Sequence, residues 1–512
     1  MDSLNLSIPQ QHDYTDPTVE LDVARLQHWL TDLPLMDVVE TVRLVTSALD
    51  ALNEQKLGAG QRFQILEVYR ATALRLFVTV DPLHLRQLAL SKSQRKDAIH
   101  GVERLFTSIA GGYKLIVTEV YTASVNGKPE PLLGPAINRA LEQLGLSLLD
   151  NHRFYREIQP QLVSESHQLY RLARHNGLLG SCIDDSTEAG PSASIAAHYH
   201  TSMLLSLTDP SRLAEGEAGL LFDVLMPHAE SCRIIPGSDW SGSGEGFFLI
   251  DLSSDALPVP CAGLPAPVTA REPYLLDATV ALAAVRERLA KTPAKVRMQS
   301  PVAMVLRRLL PERAGAEQRR EQRRPDGRWI NLLRGLEGVH AYLAGIAQKG
   351  PGTAAVRHDR SAVDMAPCRV LDASDSGMKL VWEGGGAGDA CVGDLLGILE
   401  DQHGRASLQL GMIRSIRVYR EGGMEAGIQL LPGGLGAVSC HMPEQPEKVA
   451  VRALFMPASE AEQAAATLVA AKGLYAEGRQ LLIDVGDREV RARAGRRVLD
   501  SPGFDRFEFS AE

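Results

Sequence analysis

Asp372-Ala-Ser-Asp-Ser-Gly377 stands between two runs of alternating apolar residues, Cys368–Ser374 and Met378–Trp382. Alternation of period two reads as strand, and a Ser-Asp-Ser-Gly tract between two such runs reads as the turn of a hairpin. Asp372 and Ser374 alternate with Ala373 at a strand end, which points both side chains one way. Gly377 permits a tight turn and close approach of backbone to a ligand. A carboxylate in that position can accept from the N1–H and N2–H₂ donors of a guanine edge.

Further strands follow at Leu395–Leu399, Leu408–Tyr419 and Met424–Leu431, and one precedes at Trp329–Leu333. Six short strands with polar or Gly-rich connections suggest a small barrel or sandwich. Leu336–Ala347 interrupts the series with a helical pattern, and Gly350–Val363 reads as loop. Past Cys440 the chain stays β-rich, with strands at Leu481–Val485, Arg488–Ala494 and Phe504–Phe509. This tail is either a second small barrel or a cap on the first.

Upstream of the first strand lies an arginine block without lysine. Arg307–Arg334 holds nine arginines against Glu312, Glu317, Glu321 and Asp326, a local balance of +5 in a chain whose net charge is −9. Arginine forks onto phosphate oxygens and stacks on a purine, where lysine offers a point charge. Together with the Asp-x-Ser-x-x-Gly turn, the block suggests a site for an anionic nucleotide.

At this point the chain resembles the PilZ domain, a small β-barrel family that binds the bacterial second messenger cyclic di-GMP. Arg324-Pro-Asp-Gly-Arg328 runs into Trp329-Ile-Asn-Leu-Leu and matches the family's Arg-x-x-x-Arg, with Arg323 as the additional preceding arginine. Asp372, Ser374 and Gly377 match its second motif. The Arg319/Arg323 and Arg320/Arg324 registers have the same spacing; adjacency to the first strand selects Arg324/Arg328. The resemblance covers about 319–435. It implies that Arg324 and Arg328 meet phosphates and stack on guanine, with Arg323 beside them as a further ligand-site residue, while Asp372, Ser374 and Gly377 face the base. Forty-three residues separate Arg328 from Asp372, more than is usual in the family, and the helical insert accounts for the excess.

Residues 20–230 read as successive amphipathic helices. Asp37 with Glu40 makes a capping-box-like start, and Val38, Val42, Val45, Leu49 and Leu52 recur at helical spacing up to Gly58 and Gly60. Phe63, Leu66, Tyr69 and Ala73 share the face of the next helix. Similar patterns recur near 86–122, 134–176 and 194–227. From Cys232 the composition changes: Gly237–Gly246 reads as loop, Phe247–Leu252 as strand, Pro258–Pro267 as linker and 276–310 as helix.

The expected organisation is multidomain α+β. An all-α scaffold occupies 1–230, a mixed strand, linker and helix segment 231–314, a PilZ-like six-stranded barrel 315–440, and a β-rich extension 441–512. Apolar content of 45% and charged content of 23% are ordinary for globular chains. Net charge −9 argues against binding a nucleic-acid polymer. Six scattered cysteines without Cys-x-x-Cys fit reduced thiols in a cytoplasmic protein. Met1–Pro17 lacks a signal-peptide pattern, and no apolar run reaches the ~18 residues of a membrane span.

His198 and His200 lie two apart, on different faces of a helix, and read as ordinary helical histidines; no metal site and no cofactor are expected. Gly242–Gly246 precedes a strand and is not a phosphate loop; Gly384–Gly388 reads as a hairpin connection. Arg405, Arg414, Arg417 and Arg420 read as a solvated strand face or edge protection, the alternative being a basic rim beside the site. No motif nominates a catalytic nucleophile. The expectation is a non-enzymatic effector that couples cyclic di-GMP at the barrel to a protein partner on the helical region. The alternative is a ligand-free barrel that docks a protein partner.

Overall fold

The computed structural model describes residues 4–13, 16–17, 19–123, 130–183, 193–239, 245–261, 273–293, 300–309, 323–349, 365–383, 390–402, 405–443, 450–458, 465–485 and 488–511. The chain divides into two compact units, Met1–Pro210 with Glu215–Ala316, and Glu317–Glu512 with Ser211–Ala214. The architecture is multidomain α+β, as expected.

Among the described residues the first unit opens with nine helices: α1 Val23–Thr31, α2 Val38–Glu54, α3 Ala59–Thr79, α4 Pro82–Gln87, α5 Lys92–Ala123, α6 Leu133–Arg153, α7 Pro160–His175, α8 Ile195–Ser206 and α9 Glu217–Ala229. Asp37 caps α2 by accepting from the Glu40 amide at 3.1 Å, leaving one fewer orphan donor at the helix start. Val38, Val42, Val45, Leu49 and Leu52 are all buried. Gly58, read as a helix end, is instead the N-cap residue of α3, and Gly60 lies inside that helix. Leu66, Tyr69 and Ala73 form its buried face.

A buried ion pair links α5 and α7, Lys114 Nζ to Glu165 Oε2 at 2.7 Å. The Lys114 ammonium also donates to Ser7 Oγ at 3.0 Å, which ties the N-terminal segment to the helices.

A four-stranded sheet follows, of β1 Arg233–Pro236, β2 Phe247–Asp251, β3 Val259–Pro260 and β4 Pro273–Asp277, in the order β1-β4-β2-β3. Of these only β2 is plain in the sequence. Helices α10 Thr279–Ala290 and α11 Pro301–Leu309 complete the unit. Among its described residues the 276–310 region holds these two helices, and its first two residues belong to β4.

The second unit contains two barrels. The first is built from β5 Arg324–Pro325, β6 Trp329–Arg334, β7 Met365–Ala373, β8 Gly377–Trp382, β9 Leu395–Gln402, β10 Arg405–Val418 and β11 Met424–Leu431. Its order is β5-β7-β6-β9-β10-β11-β8, and β7 also pairs with β8. That last pairing closes a six-stranded ring, with β5 a short continuation of the edge β6 presents to β7. Alternation supplies the interior: Ile330, Leu332, Cys368, Val370, Met378, Leu380, Ile398 and Ile428 are buried. At one end the Arg334 guanidinium lies 5.3 Å from the centre of the Trp382 ring.

The second barrel is closed, in the order β12-β13-β14-β17-β16-β15, from β12 Gly436–His441, β13 Val451–Met456, β14 Thr467–Ala471, β15 Gln480–Val485, β16 Arg488–Asp500 and β17 Phe504–Ala511. The expected boundary at 440 groups Gly436–Cys440 with the first barrel. Pairing of Val438 with Ala453 and of Ser439 with Asp484 assigns that strand to the second.

The insert between β6 and β7 begins with α12, Gly335–Lys349. Gly335, at φ 64°, makes the left-handed turn out of β6 that a β-carbon would oppose. The helix packs where the two barrels meet: Val339 and Tyr342 share one core with Leu333 and Leu399 of the first and Leu454 and Val469 of the second. His340 Nε2 lies 3.1 Å from the Val438 carbonyl, and Glu337 pairs with Arg452. The loop reading of 350–363 lies outside the described residues.

Candidate functional site

The register of β7 against β8 decides where Asp372 points. Val370 pairs with Leu380, but Asp372 pairs with Lys379, so Leu371 is an extra residue and the ladder is bulged there. Simple alternation would put Asp372 on the face of buried Cys368 and Val370. The bulge instead aligns it with Lys379 on the outer face. Asp372 accordingly keeps its carboxylate accessible, at 26% side-chain exposure.

The opposite edge of β7 is matched by an irregularity between β5 and β6. Pro325 pairs with Asp372 and Arg324 with Ala373. The Asp326 amide donates to the Leu371 carbonyl at 2.9 Å, and the Val370 amide to the Arg328 carbonyl at 3.0 Å, so Gly327 is looped out between them. Asp326 caps this loop by accepting from the Gly327 and Arg328 amides at 2.7 and 2.9 Å. Desolvation pushes the Asp326 carboxyl up, but those two amides and the Arg328 guanidinium outweigh it and hold the carboxyl below its ordinary range.

Arg323, Asp372, Ser374 and Gly377 come together. Arg323 Nη1 donates to Asp372 Oδ1 at 2.8 Å. Its Nη2 lies 3.4 Å from where a β-carbon on Gly377 would stand. Ser374 is in the turn rather than on the strand; its amide and Oγ donate to the Gly377 carbonyl at 2.8 and 3.2 Å. A β-carbon on Gly377 would sit 2.6 Å from the Ile428 carbonyl oxygen. The close approach that this glycine permits is therefore to the neighbouring strand β11.

Arg324 and Arg328 lie apart from that cluster. Neighbours on a strand alternate in direction, so Arg324, beside Ala373, points away from the face that Arg323 and Asp372 share. It is exposed, with no side-chain partner among the described residues. Arg328 is engaged by two acids: Nη1 lies 2.8 Å from Asp326 Oδ2 and Nη2 lies 3.1 Å from Glu400 Oε1. Arg319 and Arg320, which the other two registers need, lie outside the described residues.

The sequence reading missed Asp326 and Glu400 as partners of Arg328. Asp326 was readable, since Asp-Gly after proline is a turn signal whose carboxylate bonds backbone amides two residues on. Glu400 was not, because it comes from β9 through long-range register. Helix α12, the described part of the insert, leaves β6 at the end opposite Arg328. A cavity of about 260 Å³ lined by Arg334, Leu336, Trp382, Asp394 and Phe504 is likewise at that far end.

Among the described residues no group of His, Cys, Asp and Glu is arranged to hold a metal ion, and no helix is long and apolar enough to cross a membrane. His200 is buried, with Nδ1 3.1 Å from the Ala229 carbonyl. Arg414, Arg417 and Arg420 are exposed. The side chain of Arg405, and the glycine tracts 242–244 and 384–388, lie outside the described residues.

Comparison with known proteins places this site between two recognised regions. Residues 24–237 match the family model described as the N-terminal domain of the cyclic-di-GMP receptor FimW, and residues 437–511 match the FimW C-terminal beta-barrel domain. The latter spans β12 to β17, and the first barrel falls in the stretch that neither model covers. No solved structure matches. Across 95% of its own length and 90% of the relative's, the chain is 23% identical to the cyclic-di-GMP receptor FimW of Pseudomonas aeruginosa. The chain is thus similar along nearly its whole length to a named cyclic-di-GMP receptor, whose N- and C-terminal family models match on either side of the arginine-bearing barrel.

Proposed function

We propose that this chain is a cyclic di-GMP-binding effector, with the ligand held on the first barrel by Arg323, Arg324, Arg328, Asp372, Ser374 and Gly377. The observation that carries this reading is the Arg323–Asp372 pair over the Gly377 turn, in a chain similar along its length to such a receptor. Asp372 accepts from the N1–H and N2–H₂ of guanine. Arg323 then exchanges a carboxylate oxygen for a phosphate oxygen, or stacks on the base. Arg324 is exposed and available to a second phosphate. Arg328 exchanges Asp326 and Glu400 for phosphate, so its attraction to the ligand is offset by the ion pairs it gives up.

That exchange supplies a two-state element. The acids hold the arginines in one arrangement and the dinucleotide holds them in another, and differential affinity for the two shifts the population. The chain acts as a receptor without catalysis, in the cytoplasm, and passes the shift to a protein partner on the helical unit. Isothermal titration of the full chain with cyclic di-GMP tests the reading. Saturable binding that is weakened by Asp372→Ala supports it; no heat at any concentration sinks it.

The second reading, a ligand-free barrel that docks a protein partner, draws on the acids that already neutralise Arg323 and Arg328. A thermal-shift assay separates the two, since only a ligand that binds the native state raises the melting point.

A further inference from the structure

The outer face of β6 carries an aromatic side chain for which the motif residues have no use. Trp329 follows Arg328 directly and is 63% exposed, while its strand neighbour Ile330 is buried in the barrel. The register pairs Trp329 with Arg369 of β7. Arg369 is exposed, with no side-chain partner among the described residues. On the next strand Arg369 stands opposite Val381, two positions from the Asp372–Lys379 pair.

The bulge at Leu371 brings Asp372 onto this same outer face. Asp372 lies three residues along β7 from Arg369, roughly 10 Å at the rise of an extended strand. The face thus offers, in sequence, a carboxylate with its arginine, then a flat indole beside a second, unengaged guanidinium. A cyclic dinucleotide presents two purines on one charged ring. The Asp372 turn has hydrogen-bonding groups for the edge of one purine, and Trp329 has a π face and no hydrogen-bonding duty there.

We propose that Trp329 is the stacking platform for the second purine of the dinucleotide, flanked by Arg369; this rests on the ligand reading given above. Stacking on an exposed aromatic is a large and base-tolerant contribution, and an adjacent guanidinium adds cation–π and phosphate attraction. Trp329 therefore sets affinity, while the Asp372 turn sets the identity of the base it reads.

The test is titration of cyclic di-GMP into the full-length wild type, Trp329→Phe, Trp329→Leu and Trp329→Ala, with calorimetry and tryptophan emission read together. Trp329 is exposed, so melting curves of the unliganded variants are expected to overlay the wild type. Stacking predicts that Ala and Leu weaken binding about ten-fold or more. Phe retains most of the affinity but loses the ligand-induced quench of emission. If the wild type binds and Trp329→Ala binds equally well, the platform is wrong and the ligand reading stands. An undiminished quench in Trp329→Phe also overturns the platform. If the wild type does not bind, the ligand reading itself fails, and the platform with it.

Discussion

Arg323 donates to Asp372 across 2.8 Å, joining the last residue before β5 to a strand end 49 residues further along the chain. Both side chains remain partly exposed, so the pair is screened and of small worth to the fold. Its position over the Gly377 turn makes it the link between the arginine block and the hairpin.

Arg323→Ala is accordingly expected to change unfolding free energy by less than about 1 kcal/mol while weakening cyclic di-GMP about ten-fold or more, the loss of one charge-assisted hydrogen bond. Paired denaturation and calorimetry check the two halves. A large stability loss with unchanged affinity would mean the pair serves the fold.

Glu400→Gln removes one of the two acids that hold Arg328. The variant is expected to bind cyclic di-GMP about two- to five-fold more tightly, the scale of a surface ion pair no longer opposing the ligand. The gain should shrink as salt is raised. Weaker binding in the variant would show that Glu400 positions Arg328 for the ligand.

Gly377→Ala acts on the barrel. The added β-carbon meets the Ile428 carbonyl oxygen at 2.6 Å, and a backbone atom in a closed ring has little room to yield. A loss of about 1–3 kcal/mol is expected, read as a lower melting point even without ligand.

Lys114→Ala leaves the buried Glu165 carboxylate without its ammonium, and is expected to cost about 3–5 kcal/mol. Replacing both partners, as Lys114→Met with Glu165→Leu, should recover much of that in equilibrium denaturation.

The helical unit should lose stability in mild acid. Burial lowers His167 and His200 from 6.5 to about 4. The His167 ring lies 2.7 Å from the Tyr199 hydroxyl and 3.2 Å from the Ala256 carbonyl, and the carbonyl contact opposes the effect of burial without overcoming it. A depressed folded pKa contributes stability that is fully present above 6.5 and is lost as pH falls toward 4. Each ring contributes at most about 3 kcal/mol. Denaturation midpoints between about pH 7.5 and about pH 4.5 should fall accordingly, and a His167→Gln, His200→Gln double variant should show a flatter profile.

Much of the architecture was legible because patterning is local. Val38 through Leu52 mark a buried helical face, and each expected strand of the first barrel corresponds to an observed one, since alternation needs no knowledge of the partner strand. The edges of that reading failed where partners decide. Gly436–His441 has the same composition in either barrel, and only its pairing with β13 and β15 assigns it. Pro273–Asp277 follows a proline-rich stretch and becomes a strand because β1 and β2 flank it.

The sequence by itself determined an Asp-x-Ser-x-x-Gly hairpin and an arginine-led strand within one series of short strands, since turn chemistry and period-two alternation are properties of adjacent residues. Only the tertiary structure decided which groups meet. The extra residue at Leu371 turns Asp372 outward, the closing of β7 on β8 sets Arg323 over Gly377, and the β6–β9 pairing brings Glu400 to Arg328. Each depends on cross-strand register, which is fixed by the simultaneous packing of all six strands around one core and is therefore not carried by any single stretch of chain.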